Sequence, residues 1–443
     1  MKTFRIGGVH PPENKLSAGQ AIKIAELPKQ AIIMLSQHIG APAQAVVAKG
    51  DKVKVGTLLA QAGGFVSANI HSSVSGTVAK IDTVVDGAGL QRPAIYIDVE
   101  GDEWEESIDR SETLVKECAL SSEEIVKKIA DAGIVGLGGA CFPTQVKLCP
   151  PPNCKAECVI INAVECEPYL TADHQLMMEH GEEIIVGVTL LMKAVNVDKA
   201  FIGIENNKPD AIAHMTAIAA AYPGIEVVPL KVKYPQGGEK QLIDAIIKRQ
   251  VGSGKLPIST GAVVQNVGTA FAVYQAVQKN KPLFERIITV TGKSLTTPSN
   301  FLARIGTPMQ QLIDACGGMP EDTGKIIAGG PMMGKALVKT DVPTVKGSSG
   351  ILIMNKKEAK RGEAQSCIRC GKCIGACPIG LESYLLGILA EIGDFERMEK
   401  ENIMDCIECG SCQFTCPANR PLLDYCRLGK AKVGAMIRAR QAK

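Results

Sequence analysis

No run of this chain stays apolar for the ~18–20 residues that a bilayer crossing requires, which argues against a membrane-spanning helix. The opening MKTFRIGGVHPP is broken by charge and proline where a secretory leader carries its apolar core, so an unexported, cytoplasmic chain is expected. Aromatic residues are scarce at 4%, and 49 lysines and arginines nearly balance 46 aspartates and glutamates, for a net charge of +3. A basic stripe with interleaved aromatics is missing, and with it the footprint of a nucleic-acid binder. One basic stretch stands apart. Arg427, Lys430, Lys432, Arg438, Arg440 and Lys443 crowd the C-terminus with Val433, Met436 and Ile437 among them. They read as a frayed, solvated end, with contact to an acidic partner or membrane surface as the alternative. With 443 residues and 46% hydrophobic content, the chain has material for several domains with buried cores.

Cysteine, by contrast, is plentiful, at sixteen residues. In an unexported chain the thiols are kept reduced, so metal or cofactor ligation is expected in place of a disulfide framework. Eight of them form two runs: Cys367, Cys370, Cys373 and Cys377 before Pro378, then Cys406, Cys409, Cys412 and Cys416 before Pro417. Each is C-x2-C-x2-C-x3-C-P, and the duplicated run is the two-cluster ferredoxin pattern, in which the fourth cysteine of one run ligates the other run's 4Fe-4S cube. Cys367, Cys370, Cys373 and Cys416 are therefore expected on one cube, and Cys406, Cys409, Cys412 and Cys377 on the other. Gly371 and Gly410 let backbone amides turn toward the sulfurs. Structural zinc sites usually pair two C-x-x-C knuckles, which this pattern does not match. Between the runs, Leu381, Tyr384, Leu385, Ile388, Leu389 and Ile392 recur at helical spacing and predict one apolar packing face. Cys149, Cys154, Cys158 and Cys166 match no common metal run and are read as scattered thiols.

Residues 121–283 alternate strand and helix patterns, which indicates an α/β sheet with parallel strands. Strands are expected at 158–165, 199–205 and 225–232. Helices are expected from the Ser121–Glu124 capping box through Ala132 and over 173–194, 209–221 and 238–249. Two segments there look chemical. GIVGLGGACFPT lets backbone amides approach a phosphate or flat ring, yet fits a tight structural turn equally well. INAVECEPY puts Asn162, Glu165 and Glu167 at the carboxyl end of a strand, where a cofactor or nicotinamide ribose would be held, or in a solvated loop.

GLGGACFP, NAVECEPY, YPQGGEKQL, QNVGT and GGPMMG, taken with the two cysteine runs, resemble the RnfC family of the Rnf ion-translocating electron-transport complex. That family is itself similar to the flavin-carrying, NADH-oxidising subunit of respiratory complex I. The resemblance implies an FMN cradle. Gly136, Gly138, Gly139, Phe142 and Pro143 match the complex I loop G-R-G-G-A-G-F-P-T-G, with Leu137 in place of the arginine and Cys141 in place of a glycine. Lys147 matches a lysine near the flavin phosphate or ribityl chain. Asn162, Glu165, Glu167 and Pro168 match N-A-D-E-x-E-P, with Val164 in place of the aspartate. Gly238 and Glu239 match part of G-E-E-T. Asn266 and Thr269 match N-N-V-E-T, with Gly268 in place of the carboxylate. Phe142 is expected to stack on an aromatic ring, and Glu165 and Glu167 to place the nicotinamide ribose.

The implied fold is multidomain α/β. Residues 1–110 resemble the barrel-sandwich hybrid of biotinyl and lipoyl domains. The hairpin tip SANIHSSVSG carries no lysine, which favours docking over a swinging arm, with His71 as a hydrogen-bonded turn histidine. Residues 111–283 are expected to form a Rossmann-like FMN/NADH domain, 284–345 an SLBB β-grasp module, and 346–365 a linker. Residues 366–430 would form the α-helical two-4Fe-4S ferredoxin-like domain and 431–443 a basic tail. The implied function is electron entry on the NADH side of the membrane-bound Rnf complex, because a flavin takes electrons in pairs and releases them singly. NADH is the substrate, FMN and the two 4Fe-4S clusters the cofactors, and the other Rnf complex subunits the partners, above all the ferredoxin-like one. The membrane is met only through the complex, at the cytoplasmic side of the inner membrane, and no nucleic acid is expected. The alternatives are a flavin and iron–sulfur cobalamin reductase of propanediol-degrading microcompartments and a nucleotide-free iron–sulfur adaptor.

Overall fold

The computed structural model describes residues 1–441. Its functional centre is a four-stranded parallel sheet in the spatial order Ile225–Leu230, Ala200–Glu205, Cys158–Asn162, Ala262–Asn266. The first strand in the chain is thus an inner strand. Its two successors step outward on one side, and the last returns to the other side. Such a reversal opens a crevice at the carboxyl ends of the two strands that flank it. Here those strands are Cys158–Asn162 and Ala262–Asn266, whose final residues, Asn162 and Asn266, pair in register.

The helices around this sheet form where the sequence predicts. Ser121 and Glu124 make the reciprocal capping box that opens the helix Ser122–Asp131. The helix expected over 173–194 is two, Ala172–Glu179 and Gly181–Ala194, because His180 leaves helical geometry (φ −128°, ψ 33°). Helix Gly181–Ala194 packs closely on Val267–Lys279: a β-carbon on Gly187 would stand 2.0 Å from the Ala270 carbonyl oxygen.

Two small antiparallel sheets, one of Gln30–Met34, Gln91–Val99, Gly76–Val85 and Lys52–Val53, the other of Gln44–Ala45, Leu58–Gln61 and Ile70–His71, close over a core that includes Ile33, Leu59, Ile70 and Ile97. The first residues of the chain also make contacts beyond these two sheets. Lys2 bridges to Leu230 and Val9 to Tyr234, and Lys23–Ile24 adds a strand beside Ser299–Arg304. The hairpin tip is buried, and the fully buried Lys346 donates to the Asn69 carbonyl at its edge (2.6 Å) and to the Gly133 carbonyl (2.7 Å). Burial pushes Lys346 down to about 7. His71 is no turn histidine; it closes the strand Ile70–His71, its Nδ1 has no partner, and burial pushes it down to about 3.

A six-stranded mixed sheet follows. The expected linker supplies one of its central strands, Gly350–Asn355, between Glu285–Thr291 and Thr323–Ala328. GILI within it is buried, so this segment packs as core. The C-terminal unit is helical. Helix Ser383–Ile392 buries Leu386, Leu389 and Ala390 and exposes Ile388 and Ile392, a rotation from the predicted face. The cause is the crossing helix Leu422–Gln441, whose Leu422 packs where Gly387 leaves room. That helix corrects the frayed-tail reading: Val433 is buried in the core with Met398 and Ile403, and Arg440 pairs with Glu399. Lys443 lies outside the described residues. Among the described residues no helix is long and apolar enough to cross a membrane.

Gly187→Ala is expected to wedge two helices apart at a backbone contact, lowering stability by about 1–3 kcal/mol. A fall in the thermal midpoint of the purified chain would check this, and an unchanged midpoint would show that the helix pair yields freely.

Candidate electron-transfer site

The glycine loop lies over the crevice between the strands that end in Asn162 and Asn266. Its turn is closed by the Gly136 amide donating to the Phe142 carbonyl (2.9 Å). The Leu137 amide donates to Thr269 Oγ1 (3.0 Å). Gly138 must be glycine, since a β-carbon there would sit 2.8 Å from the Asn266 side chain, and Gly139 has nothing within 4 Å. Gly138 and Gly139 are exposed, and Phe142 is half-buried at the end of the loop.

Around this opening the structure gathers most of the predicted residues. Lys147 Nζ donates to Glu239 (2.6 Å) and to the Val264 carbonyl (3.1 Å). Glu239 opens the helix Glu239–Ile247, whose N-cap, Gly238, provides no capping side chain, so the amides of the first turn are left for a ligand. Asn162 donates to the Gly237 carbonyl (2.8 Å), and Asn266 caps the helix Val267–Lys279 through Gly268 (2.8 Å) while donating to Asp173 (2.7 Å). The crevice thus combines a side-chain-free glycine loop, a lysine and an uncapped helix start. That donor set fits a phosphorylated, flat-ringed group such as FMN.

The two predicted carboxylates are placed differently. Glu165 adopts positive φ (47°), and its carboxylate accepts the Asp173 (2.7 Å) and His174 (3.3 Å) amides, so it caps the helix Ala172–Glu179. Glu167 accepts the amides of Met332 (3.1 Å) and Met333 (2.8 Å) and the Tyr234 hydroxyl (3.3 Å). Gly330 in GGPMMG lets that loop close, since its β-carbon would stand 2.2 Å from Glu167 Oε2. Both side chains are engaged within the protein, Glu165 at a helix start and Glu167 on the GGPMMG loop.

The two cysteine runs adopt the same backbone. Arg369 and Glu408 both have φ of 56°, and Gly371 and Gly410 have φ of 73° and 76°. These left-handed residues turn successive amides inward, as anion-binding nests require. A cavity lined by Cys406, Cys409, Cys412 and Cys377 brings three thiols of the second run together with the fourth of the first. Leu381 N donates to Cys377 Sγ (3.3 Å) and Glu408 N to Cys406 Sγ (3.4 Å). A thiol cage with inward amides fits a 4Fe-4S cube. Of the remaining four, Cys367 and Cys370 are exposed, Cys373 is buried and Cys416 is half-buried. Among the described residues no three His, Cys, Asp or Glu converge as on a single ion.

Several residues at the site carried no sequence signal. Cys426 is a fifth cysteine of the cavity. Asp173 and Arg286 stand behind the glycine loop. Tyr234 links the two halves: its hydroxyl lies 2.8 Å from the Cys409 carbonyl, and it shares an apolar cluster with Val9, Met332, Ala376 and Cys409. Lys15 binds the carbonyls of Glu165, Glu167 and Leu170 (2.9, 2.9 and 2.6 Å) and so fixes the loop between them.

Fold and site together define a flavin and iron–sulfur electron-transfer protein. Family models agree segment by segment: the RnfC barrel sandwich hybrid domain over residues 2–102, the Nuo51 FMN-binding domain over 129–275, the SLBB domain over 287–336 and a 4Fe-4S dicluster domain over 359–417. The chain is 47% identical to a subunit of the proton-translocating ferredoxin:NAD(+) oxidoreductase complex of Clostridium ljungdahlii, over 100% of this chain and 96% of the relative. It is 44% identical to the corresponding subunit of the Na(+)-translocating ferredoxin:NAD(+) oxidoreductase complex of Acetobacterium woodii, over 98% of each. Among solved structures, an NAD+-reducing [NiFe]-hydrogenase chain in the air-oxidized state superposes with a TM-score of 0.51 at 19% identity, covering 71% of this chain and 63% of that one, a likeness of fold. The chain belongs to the RnfC family, whose members are subunits of ion-translocating ferredoxin:NAD(+) oxidoreductase complexes.

Burial pushes Glu167 up to about 7, against an ordinary value of 4.5. With the native pKa raised, the folded chain holds a proton that the unfolded chain has released, so stability falls as pH rises through this window and levels off above it. Glu167→Gln should remove this component, on the order of 1–3 kcal/mol. Denaturant unfolding at pH 5 and pH 8 is expected to show the larger loss in the wild type; equal losses would place the Glu167 carboxyl in a water-like setting.

Proposed function

We propose that the chain is the NADH-side electron-entry subunit of a membrane-bound Rnf complex. It would exchange electrons between NADH and a ferredoxin-like partner while the whole assembly moves ions. One observation supports this reading: the same chain holds a crevice fitted to FMN and a thiol cavity fitted to a cube, and the Tyr234 hydroxyl fastens the unit that carries the first to the unit that carries the second through the Cys409 carbonyl. FMN, when bound, supplies the conversion between paired electrons from a pyridine nucleotide and single electrons for iron–sulfur centres.

The protein's own residues bind and orient. Gly138 and Gly139 present backbone, and Lys147, Asn162, Gly238, Glu239, Asn266 and Thr269 surround the opening. Phe142, half-buried at the end of the loop, is the aromatic side chain available to stack on a ring, and Glu165 and Glu167 hold the following loop in shape. None of these groups needs to act as acid, base or nucleophile. Cys406, Cys409, Cys412 and Cys377 would hold one cube, and Cys367, Cys370, Cys373 and Cys416 the second, whose ligands Cys367 and Cys370 are exposed. The relatives' names place such subunits in complexes that reduce NAD(+) with ferredoxin, so flow in either direction suits the site. We assign the chain to the cytoplasmic side of the membrane, as a peripheral subunit.

Anaerobically prepared protein should carry about eight irons per chain, as two four-iron centres require, and its flavin absorbance should bleach on addition of NADH. Cys370→Ala is expected to remove one cube's electron paramagnetic resonance signal and abolish reduction of external acceptors while leaving that bleaching intact. Loss of NADH bleaching in a folded Cys370→Ala variant would overturn this division of labour.

A further inference from the structure

The glycine loop from Gly136 to Thr144 contains no charged residue. The structure brings one to it from elsewhere. Arg286 lies on the strand Glu285–Thr291 of the six-stranded sheet and is 7% exposed. Its Nη2 donates to the Leu137 carbonyl (3.1 Å) and its Nε to the Ser348 carbonyl (3.3 Å). The peptide units on both sides of Leu137 are therefore fixed, the amide by Thr269 and the carbonyl by Arg286. With that pivot held, Gly138 and Gly139 face outward.

The same guanidinium reaches the start of the helix Val267–Lys279. A β-carbon on Gly268 would stand 3.5 Å from Arg286 Nη1 and 3.8 Å from Asp173 Oδ1. Glycine at this position leaves the space beside both groups free of a side chain. A buried guanidinium is costly unless it is paired, and Asp173 is the carboxylate beside it. Asp173 is itself pushed up to about 6 by burial and by the neighbouring Glu165 charge.

We propose that Arg286 is the positioning cation of the flavin site, supplied across a domain boundary to a loop that has no charge of its own. It holds the loop open for FMN, and it stabilises the negative charge that the cofactor gains on reduction. This rests on the FMN assignment made above. Asp173 is the counter-charge that moderates the effect.

The test uses the full chain, purified anaerobically with its clusters in place, stripped of flavin and titrated with FMN, and then followed by spectroelectrochemistry. Arg286→Met is expected to weaken FMN binding at least tenfold and to shift the bound flavin's midpoint potential to more negative values. Arg286→Lys, which keeps the charge but loses the forked hydrogen bonds, should return the potential to the wild-type value with binding between the two. A potential unchanged in a folded Arg286→Met variant, or left shifted in Arg286→Lys, would overturn the proposal. If Arg286→Met does not accumulate as folded protein, Asp173→Asn decides: removing the counter-charge should move the potential in the positive direction, and no movement would overturn the proposal. Failure of the wild-type chain itself to bind FMN would refute the FMN assignment, a separate outcome.

Discussion

Electron transfer between two cofactors requires the units that carry them to be held at a short, fixed separation, and in this protein a buried tyrosine fastens one unit to the other. Tyr234 is 2% exposed, with its hydroxyl between the Cys409 carbonyl and the Glu167 carboxylate. Burial of the ring supplies the apolar contribution. The hydroxyl must find a partner once buried, and that need selects the position of the iron–sulfur unit relative to the parallel sheet. Glu167 holds the GGPMMG loop with its other contacts, so one carboxylate and one phenol connect three regions of the chain: the sheet, the following mixed sheet and the helical cluster unit. The N-terminal segment reinforces the junction. Val9 pairs with Tyr234, Gly8 donates to the Ala376 carbonyl (2.9 Å), and Lys15 fixes the loop after Asn162 from the other side.

The site also concentrates unusual backbone. Cys141, Glu165 and Tyr169 are non-glycine residues at positive φ close to the crevice, and Arg369 and Glu408 occupy matching positions in the two cysteine runs. Such conformations cost on the order of 1–3 kcal/mol each and persist where surrounding contacts over-determine them. For Glu165 the compensation is visible: two helix amides bind its carboxylate and Lys15 binds its carbonyl. At Arg369 and Glu408, the left-handed residue is what turns amides toward the thiols.

Much of this was legible beforehand, for reasons tied to particular residues. The cysteine runs could be read because three of the four ligands of each lie within seven residues, so local chain geometry alone sets the cage. The strands Cys158–Asn162, Ala200–Glu205 and Ala262–Asn266 are apolar runs, and helix Ser122–Asp131 announces itself with a capping box. The linker and tail readings failed for the opposite reason. KGSSG and the lysine-rich stretch after Asn355 masked a short apolar strand between them, and the basic residues of the last helix hid the apolar positions that dock it.

By itself, then, the order of residues determined the cluster ligands, the side-chain-free loop and the alternation of strand and helix, all of which depend on neighbours a few positions away. Only the tertiary structure decided which polar groups remain available. It sends Glu165 to a helix end and Glu167 to a distant loop, and it brings Arg286 and Cys426 to places their sequence neighbourhoods do not suggest. The physical reason is that a buried charge or thiol takes its role from partners often more than a hundred residues away, and chain folding alone brings them within hydrogen-bonding distance.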